Sequence, residues 1–419
     1  MSMFIFVGVS SFLVCVSILL LCLLYSGGVN CFWLCTNNVY SNIFVFDSIS
    51  FYLILLIVFL GIYSQVIFYS VLGSCTRFFL FMSLTFTILC FCINHSVLFW
   101  CFYELSIISL LYLIFSESPY SERFIAGWYF SAYLLSTSLP LILILLYLSF
   151  INGSLFFSDW VNGGNSMFIV YLLLSFVFFT KVPLIPFHTW LPIVHAEATS
   201  IVSIFLSGYI MKLGLLGVYR CSYYIFDFSF LTYLFLCCVV SVFFLITSCN
   251  ELDGKRWLAF LSLSHIVVPF LGFFVGSWVS INFSFFYCLG HGLSAGIVFG
   301  LLWCLYELSN TRNWLLVKSS INSLSLVILS IFSFLSLCSF PPTIQFFSEV
   351  YLLGECSGVL LYILFWCFYL FFGGLVPLVL CGHLLIRSEY YECTSYSYYC
   401  YFIFILVLCF WCYFGILVL

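Results

Sequence analysis

Charge is what this sequence lacks most. Its 419 residues include ten Lys and Arg and fourteen Asp and Glu, 6% charged in all, where a soluble domain carries about 25%. That excludes a soluble globular protein. The few basic residues form no patch and the net charge is −4, so the electrostatic footprint of a nucleic-acid binder is missing. No Lys or Arg precedes Arg77. The N-terminal run FIFVGVSSFLVCVSILLLCLL thus has neither the basic n-region and cleavage site of a signal peptide nor the arginines of a mitochondrial presequence, and is expected to stay in place as a membrane span. Cysteine is plentiful, at 22 residues, but lies singly inside apolar runs, as at Cys90, Cys92, Cys237 and Cys238. There is no pair of Cys-x-x-Cys units and no Cys/His set at zinc spacing. Dinucleotide fingerprints, haem-type pairs and cluster motifs are absent too, so no metal or cofactor is expected on this chain.

What is present is hydrocarbon. The chain is 65% hydrophobic and 23% aromatic, with a mean hydropathy of +1.28. Its apolar runs are about twenty residues long, the length a helix needs to cross about 30 Å of bilayer, and not the alternating runs of about ten residues of a membrane barrel. The expected fold class is an all-α polytopic membrane protein, one transmembrane domain over 1–419. About thirteen spans are expected, near 4–26, 48–72, 77–94, 96–115, 123–151, 166–192, 197–220, 228–249, 255–275, 278–307, 319–351, 358–386 and 398–418. The connections are short, leaving no room for a soluble domain. The excess of Phe, Tyr and Cys over Ala, Gln and Lys points to a T-rich organellar genome.

Two spans look broken. In 166–192, Pro183 and Pro186 follow Lys181, and in 319–351, Pro341 and Pro342 precede Glu349. Proline removes helical hydrogen bonds, and unwound backbone at membrane depth is tolerated where protein or a wet cavity satisfies it. Each break is the fourth helix of a five-helix block, 77–220 and 228–386, and odd-numbered repeats invert relative to each other. An inverted pair with sites at the breaks is therefore expected.

Ionisable groups at bilayer depth cost several kcal/mol, roughly 2.5–3.5 on insertion scales, and mark ion or proton paths. Glu104 sits mid-span as the sole charge of its segment. Its alternative is a carboxyl hydrogen-bonded between helices. Lys181 lies beside the first break. Burial favours the neutral form of either group, while an opposite charge within about 4–6 Å favours the charged form. A Glu104–Lys181 pair would therefore decide whether the lysine keeps its proton. Lys212 lies eight residues before Arg220, which marks the helix end. That depth of about 12 Å leaves a relay role or snorkelling open. Glu349, after the second break, reads as an exit or storage acid or as a helix cap. His265 and His291 lie within spans and suit a relay, since histidine titrates near neutral pH, or a plain interhelical hydrogen bond. His188 and His195 flank the HTWLPIVH turn and line a loop or entrance, and Lys255 with Arg256 is expected at the aqueous boundary.

The stretches KVPLIPFHTWLPIVHAEATSIVS…YIMKLGLLGVYR, DGKRWLAFLSLSH, HGLSAGIVFGLLWCLYELSNTR and PPTIQFFSEVYLL together resemble the subunit 4 family of respiratory NADH–ubiquinone oxidoreductase, complex I, over about 45–390. This family groups with the antiporter-like subunits and cation/proton antiporters. The resemblance implies proton translocation coupled to electron transfer from NADH to quinone elsewhere in the complex. It places the membrane glutamate at Glu104, its lysine partner at Lys181, relay groups at Lys212 and His291, and the second-break acid at Glu349. His265, His188, His195 and Lys255 stand as secondary relay candidates. It further implies NADH, FMN, iron–sulfur clusters and ubiquinone on partner subunits, antiporter-like subunits 2 and 5 as neighbours, and a mitochondrial inner-membrane location. Departures fall at Thr199, where the family has proline, at Ser348, where it often has glycine, and at Gln345, where it has asparagine. A sodium/proton antiporter subunit is the alternative. A scaffold that has lost the pump is disfavoured, because leucine in place of the buried charges would stabilise it.

Overall fold

The computed structural model describes residues 39–40, 43–160, 167–226, 230–321, 323–386, 399–417 and 419. The first expected span, 4–26, lies outside them. Ten helices among the described residues are long and apolar enough to cross a membrane. We number all membrane helices and helix fragments in chain order: α1 (Ser48–Ile67), α2 (Ser74–Cys92), α3 (Ser96–Glu117), α4 (Arg123–Asn152), the fragments α5 (Phe168–Lys181) and α6 (Trp190–Glu197), α7 (Ser200–Ser222), α8 (Leu231–Ser248), α9 (Gly254–Val275), α10 (Trp278–Ser309), the fragments α11 (Leu324–Leu337) and α12 (Ile344–Glu355), α13 (Leu360–Leu385) and α14 (Tyr399–Leu417). The ten spans and the two fragment pairs coincide in order with the twelve segments expected from residue 48 onward.

The helices start where the sequence supplies a cap. The Asp47 carboxylate accepts from Ser50 N at 2.8 Å while Ser50 Oγ accepts from Asp47 N, a reciprocal capping box. Asp253 caps α9 and Ser277 caps α10. Inside the helices, serine hydroxyls donate back to carbonyls three or four residues earlier, as at Ser106, Ser241 and Ser262. That gives these hydroxyl hydrogens a partner within their own helix.

Burial separates the helices into two classes. In α7 and α10 the most apolar window is buried throughout, and in α9 83% of it, whereas α4 and α13 bury only 28% and 33%. The outer helices offer bulky apolar side chains such as Phe150, Leu143, Phe371 and Val379 to their surroundings, as lipid contact requires. Around the inner α10 pack α1, α7, α9, α11, α12 and α14. Small residues let them approach. A methyl on Gly214 would sit 2.5 Å from Val182 Cγ2, and one on Gly290 2.9 Å from the backbone nitrogen of Gln345. Such stripes replace the hydrophobic effect as the basis of helix association in lipid.

Both expected breaks are real. Between α5 and α6 the chain leaves helical geometry at 182–189, and the freed groups find partners. Leu184 N donates to Phe179 O at 3.1 Å, and the Trp190 indole donates to Thr180 O at 3.0 Å. Between α11 and α12, Phe340 N donates to Leu335 O at 3.2 Å and the Thr343 hydroxyl accepts from Phe346 N at 3.4 Å.

Candidate functional site

The first break aims Lys181 at Glu104. Helix α5 ends at the lysine, whose side chain is wholly buried, and Nζ donates to Glu104 Oε1 on α3 at 2.9 Å. The ammonium also lies 4.0 Å from the centroid of the Tyr103 ring, a cation–π contact that favours the charge. Glu104 Oε2 is buried with no partner among the described residues. One carboxylate oxygen thus holds the lysine.

Lys212 does not snorkel. It is 3% exposed, and Nζ turns back to donate to Ser207 O at 2.6 Å. Ser207 lies in a π-helical turn, Leu206–Ile210, inside α7. Widened turns of this kind recur at functional sites. The lysine borders an internal cavity whose other walls include His265, Tyr287, Cys288 and His291. About 10 Å³ of that cavity is open to the centre of a water molecule, room for about one water.

His265 and His291 stand side by side with ring centroids 5.1 Å apart. His265 Nε2 and both His291 nitrogens have no partner among the described residues. His265 Nδ1 contacts the hydroxyls of Tyr287, at 3.1 Å, and of Tyr369. Glu349, 3% exposed, accepts from Gln345 Nε2 at 3.1 Å and from Tyr369 Oη at 3.3 Å. It is not the cap of α12; Thr343 is.

The remaining candidates lie on or beside α6. His195 is fully buried, stacked on Phe299 with centroids 5.1 Å apart, and neither ring nitrogen has a partner among the described residues. It lies within electrostatic range of both Lys212 and Lys255. His188 is half-buried against Phe244. Lys255 departs from expectation. It begins α9 but does not face water: it is 3% exposed, its Nζ donating to Ala198 O at 2.8 Å, while its neighbour Arg256 is exposed. The turn after α6 supplies that carbonyl because its outward groups are already held. Arg312 donates to Ala196 O and pairs with Asp253 at 3.4 Å, and Ser118 Oγ donates to Glu197 O.

Sequence reading did not find Tyr287 and Tyr369. Tyr287 precedes His291 by four residues and Gln345 precedes Glu349 by four, so each shares a helix face with a proposed relay group, a signal that was there to be read. Tyr369 comes from α13 and carries no such signal.

The sequence model of the family described as NADH:quinone oxidoreductase/Mrp antiporter, transmembrane, matches residues 94–406. NADH-ubiquinone oxidoreductase chain 4 of Locusta migratoria is 30% identical over 307 residues, covering 71% of this chain and 68% of that one. Among solved structures, a chain of respiratory complex I from Thermus thermophilus with bound NADH superposes with a TM-score of 0.80 at 20% identity, over 90% of this chain and 83% of that one. A chain of the Mrp complex from Dietzia sp. DQ12-45-1b does so with a TM-score of 0.75 at 16% identity, over 92% and 76%. Both are likenesses of fold.

Proposed function

The chain belongs to the NADH:quinone oxidoreductase/Mrp antiporter family, and from that premise we propose that it is the chain 4 subunit of an NADH:ubiquinone oxidoreductase, translocating protons through the membrane arm. The observation that carries this reading is the ion pair of Glu104 and Lys181 at 2.9 Å, buried beside a broken helix. It heads a line of buried groups (Lys212, His265, His291 and Glu349) on or against the innermost helices. A chain that only scaffolds its neighbours gains nothing from such groups, each of which costs several kcal/mol at bilayer depth.

Each group has a defined task. While Glu104 holds Lys181, the ammonium is stabilised. When the carboxylate swings away, the lysine keeps only the Tyr103 ring and releases its proton. The proton passes toward Lys212, across the water-sized cavity to the histidines, and on to Glu349, which the second break positions. His195 lies within electrostatic range of both Lys212 and Lys255, the latter bonded to the 197–199 turn, and the two serve as an approach from that end. The redox chemistry, with NADH, flavin, iron–sulfur clusters and ubiquinone, belongs to partner chains. The neighbours are the other antiporter-like subunits 2 and 5, and the setting is the mitochondrial inner membrane.

Native-gel separation of mildly solubilised membranes, with NADH dehydrogenase staining and mass spectrometry for this chain, tests the assembly. The chain is expected in a very large NADH-oxidising band. Lys181→Ala tests the pump: the complex should assemble, oxidise NADH with a soluble acceptor, and fail to move protons. The Mrp likeness favours one rival, a cation/proton antiporter subunit. A small band without NADH activity, with proton flux that requires sodium, would establish it.

A further inference from the structure

We infer that the last hop of the path runs through a phenol: Tyr369 is a proton-relay residue between His265 and Glu349, with Tyr287 as a parallel branch. The inference rests on the proton-translocating reading above and extends it to residues of a different chemical type. The four groups are joined by direct hydrogen bonds. Tyr369 Oη donates to Glu349 Oε1 at 3.3 Å, which commits its hydrogen to the acid, so its lone pair faces His265 Nδ1. Tyr287 Oη lies 3.1 Å from the same Nδ1 and 3.0 Å from Tyr369 Oη, and Gln345 Nε2 approaches it at 3.5 Å. All of these side chains are buried, with Tyr287 and Tyr369 each 1% exposed. Gln345 is fixed in turn by Ser294 Oγ, which donates to its Oε1 at 3.1 Å.

The histidine ring supplies direction. Its Nε2 is without a partner among the described residues, and the ring borders the cavity shared with Lys212 and His291. A proton arriving at Nε2 converts the ring to an imidazolium, which gives up its Nδ1 proton to the Tyr369 oxygen. As that O–H bond forms, the original phenol O–H bond breaks and its proton passes to the Glu349 carboxylate. The sum is an imidazolium and a carboxylate becoming an imidazole and a carboxylic acid. The phenol is neutral before and after, and it resets by rotating its O–H. Phenylalanine at either position preserves the ring and its packing and removes only the hydroxyl.

The test uses the assembled complex in membrane vesicles, with Tyr369→Phe, Tyr287→Phe, both together, and Glu349→Gln as reference. Proton pumping driven by NADH is measured in H₂O and D₂O, normalised to NADH oxidation by a soluble acceptor that bypasses quinone. Tyr369→Phe should slow pumping about tenfold, less than the ~10²–10⁴-fold of a sole acid–base group, because Tyr287 also lies within hydrogen-bonding reach of Glu349 and offers a second route. Its solvent isotope effect should rise, because proton transfer then limits the rate. The double variant should match Glu349→Gln, and Tyr369→His, which restores a donor and an acceptor, should recover pumping that Tyr369→Phe loses. Wild-type pumping in the double variant, with Glu349→Gln blocked, overturns the phenol relay and leaves the wider reading intact. Wild-type pumping in Glu349→Gln and Lys181→Ala as well overturns both.

Discussion

Removing Glu104 should harm the protein more than removing both members of its pair. Lys181 has no exposed side-chain surface and Glu104 has 9%, and the two meet at 2.9 Å. Taking away one partner of a buried pair typically costs about 3–5 kcal/mol, because the other charge is left uncompensated, whereas replacing both with apolar groups is often neutral. The Tyr103 ring, 4.0 Å from the ammonium, offsets up to about 2 kcal/mol when desolvated. The net cost of Glu104→Gln should therefore fall near the lower end, about 3 kcal/mol, or roughly a hundredfold in the inactivation rate if it is felt fully there. Glu104→Leu with Lys181→Met should approach the wild-type half-life. For a complex that denatures irreversibly, the half-life of the solubilised assembly at fixed temperature is the proper readout, taken as a double-mutant cycle with each single variant. Pumping must be measured beside it, since every variant in the cycle should lose it. Two results would refute the reasoning: half-lives that simply add, meaning the charges are not coupled, or a Glu104→Gln complex that pumps normally.

Four other substitutions, one of them a control, probe the geometry. Gly290→Ala sets a methyl 2.9 Å from the Gln345 backbone nitrogen, which cannot rotate away. The expected cost is about 1–3 kcal/mol, read as a shortened half-life, with pumping lost before assembly because α12 carries Glu349. Gly214→Ala meets Val182 Cγ2 at 2.5 Å and Lys181 Cβ at 3.5 Å. It should displace the end of α5 and lower pumping, while the outward-facing Leu143→Ala on α4 changes neither pumping nor half-life. Lys255→Met removes the bond to Ala198 O at 2.8 Å, a charge-assisted contact worth about 1.5–3 kcal/mol that is partly offset by no longer burying an ammonium. Assembly should survive and proton pumping should slow, whereas unchanged pumping would remove the 197–199 turn from the path.

How much of this was legible in the sequence depended on whether a feature is local to one segment. Span order from residue 48 onward follows from hydrocarbon length, a property of each run alone, and the breaks at 182–189 and 338–343 follow from prolines beside a lysine and a glutamate. The Glu104–Lys181 pair was foreseeable because two opposite charges stranded in hydrocarbon have few ways to be satisfied other than each other. Lys255 was misjudged for a related reason. Asp253, Lys255 and Arg256 together read as a polar helix start, but the first turn of a helix has two sides. Arg256 took the outer one, and Lys255 was turned inward onto a carbonyl that the 197–199 turn presents from another part of the chain. Tyr369 shows the limit most clearly. Tyrosine is so common here, at 29 residues, that its presence in a span carries no information, and only the packing of α13 brings its hydroxyl between a histidine and a glutamate. Rare residues in a membrane chain therefore announce themselves, while frequent ones acquire a role only through the partners that the fold assembles around them.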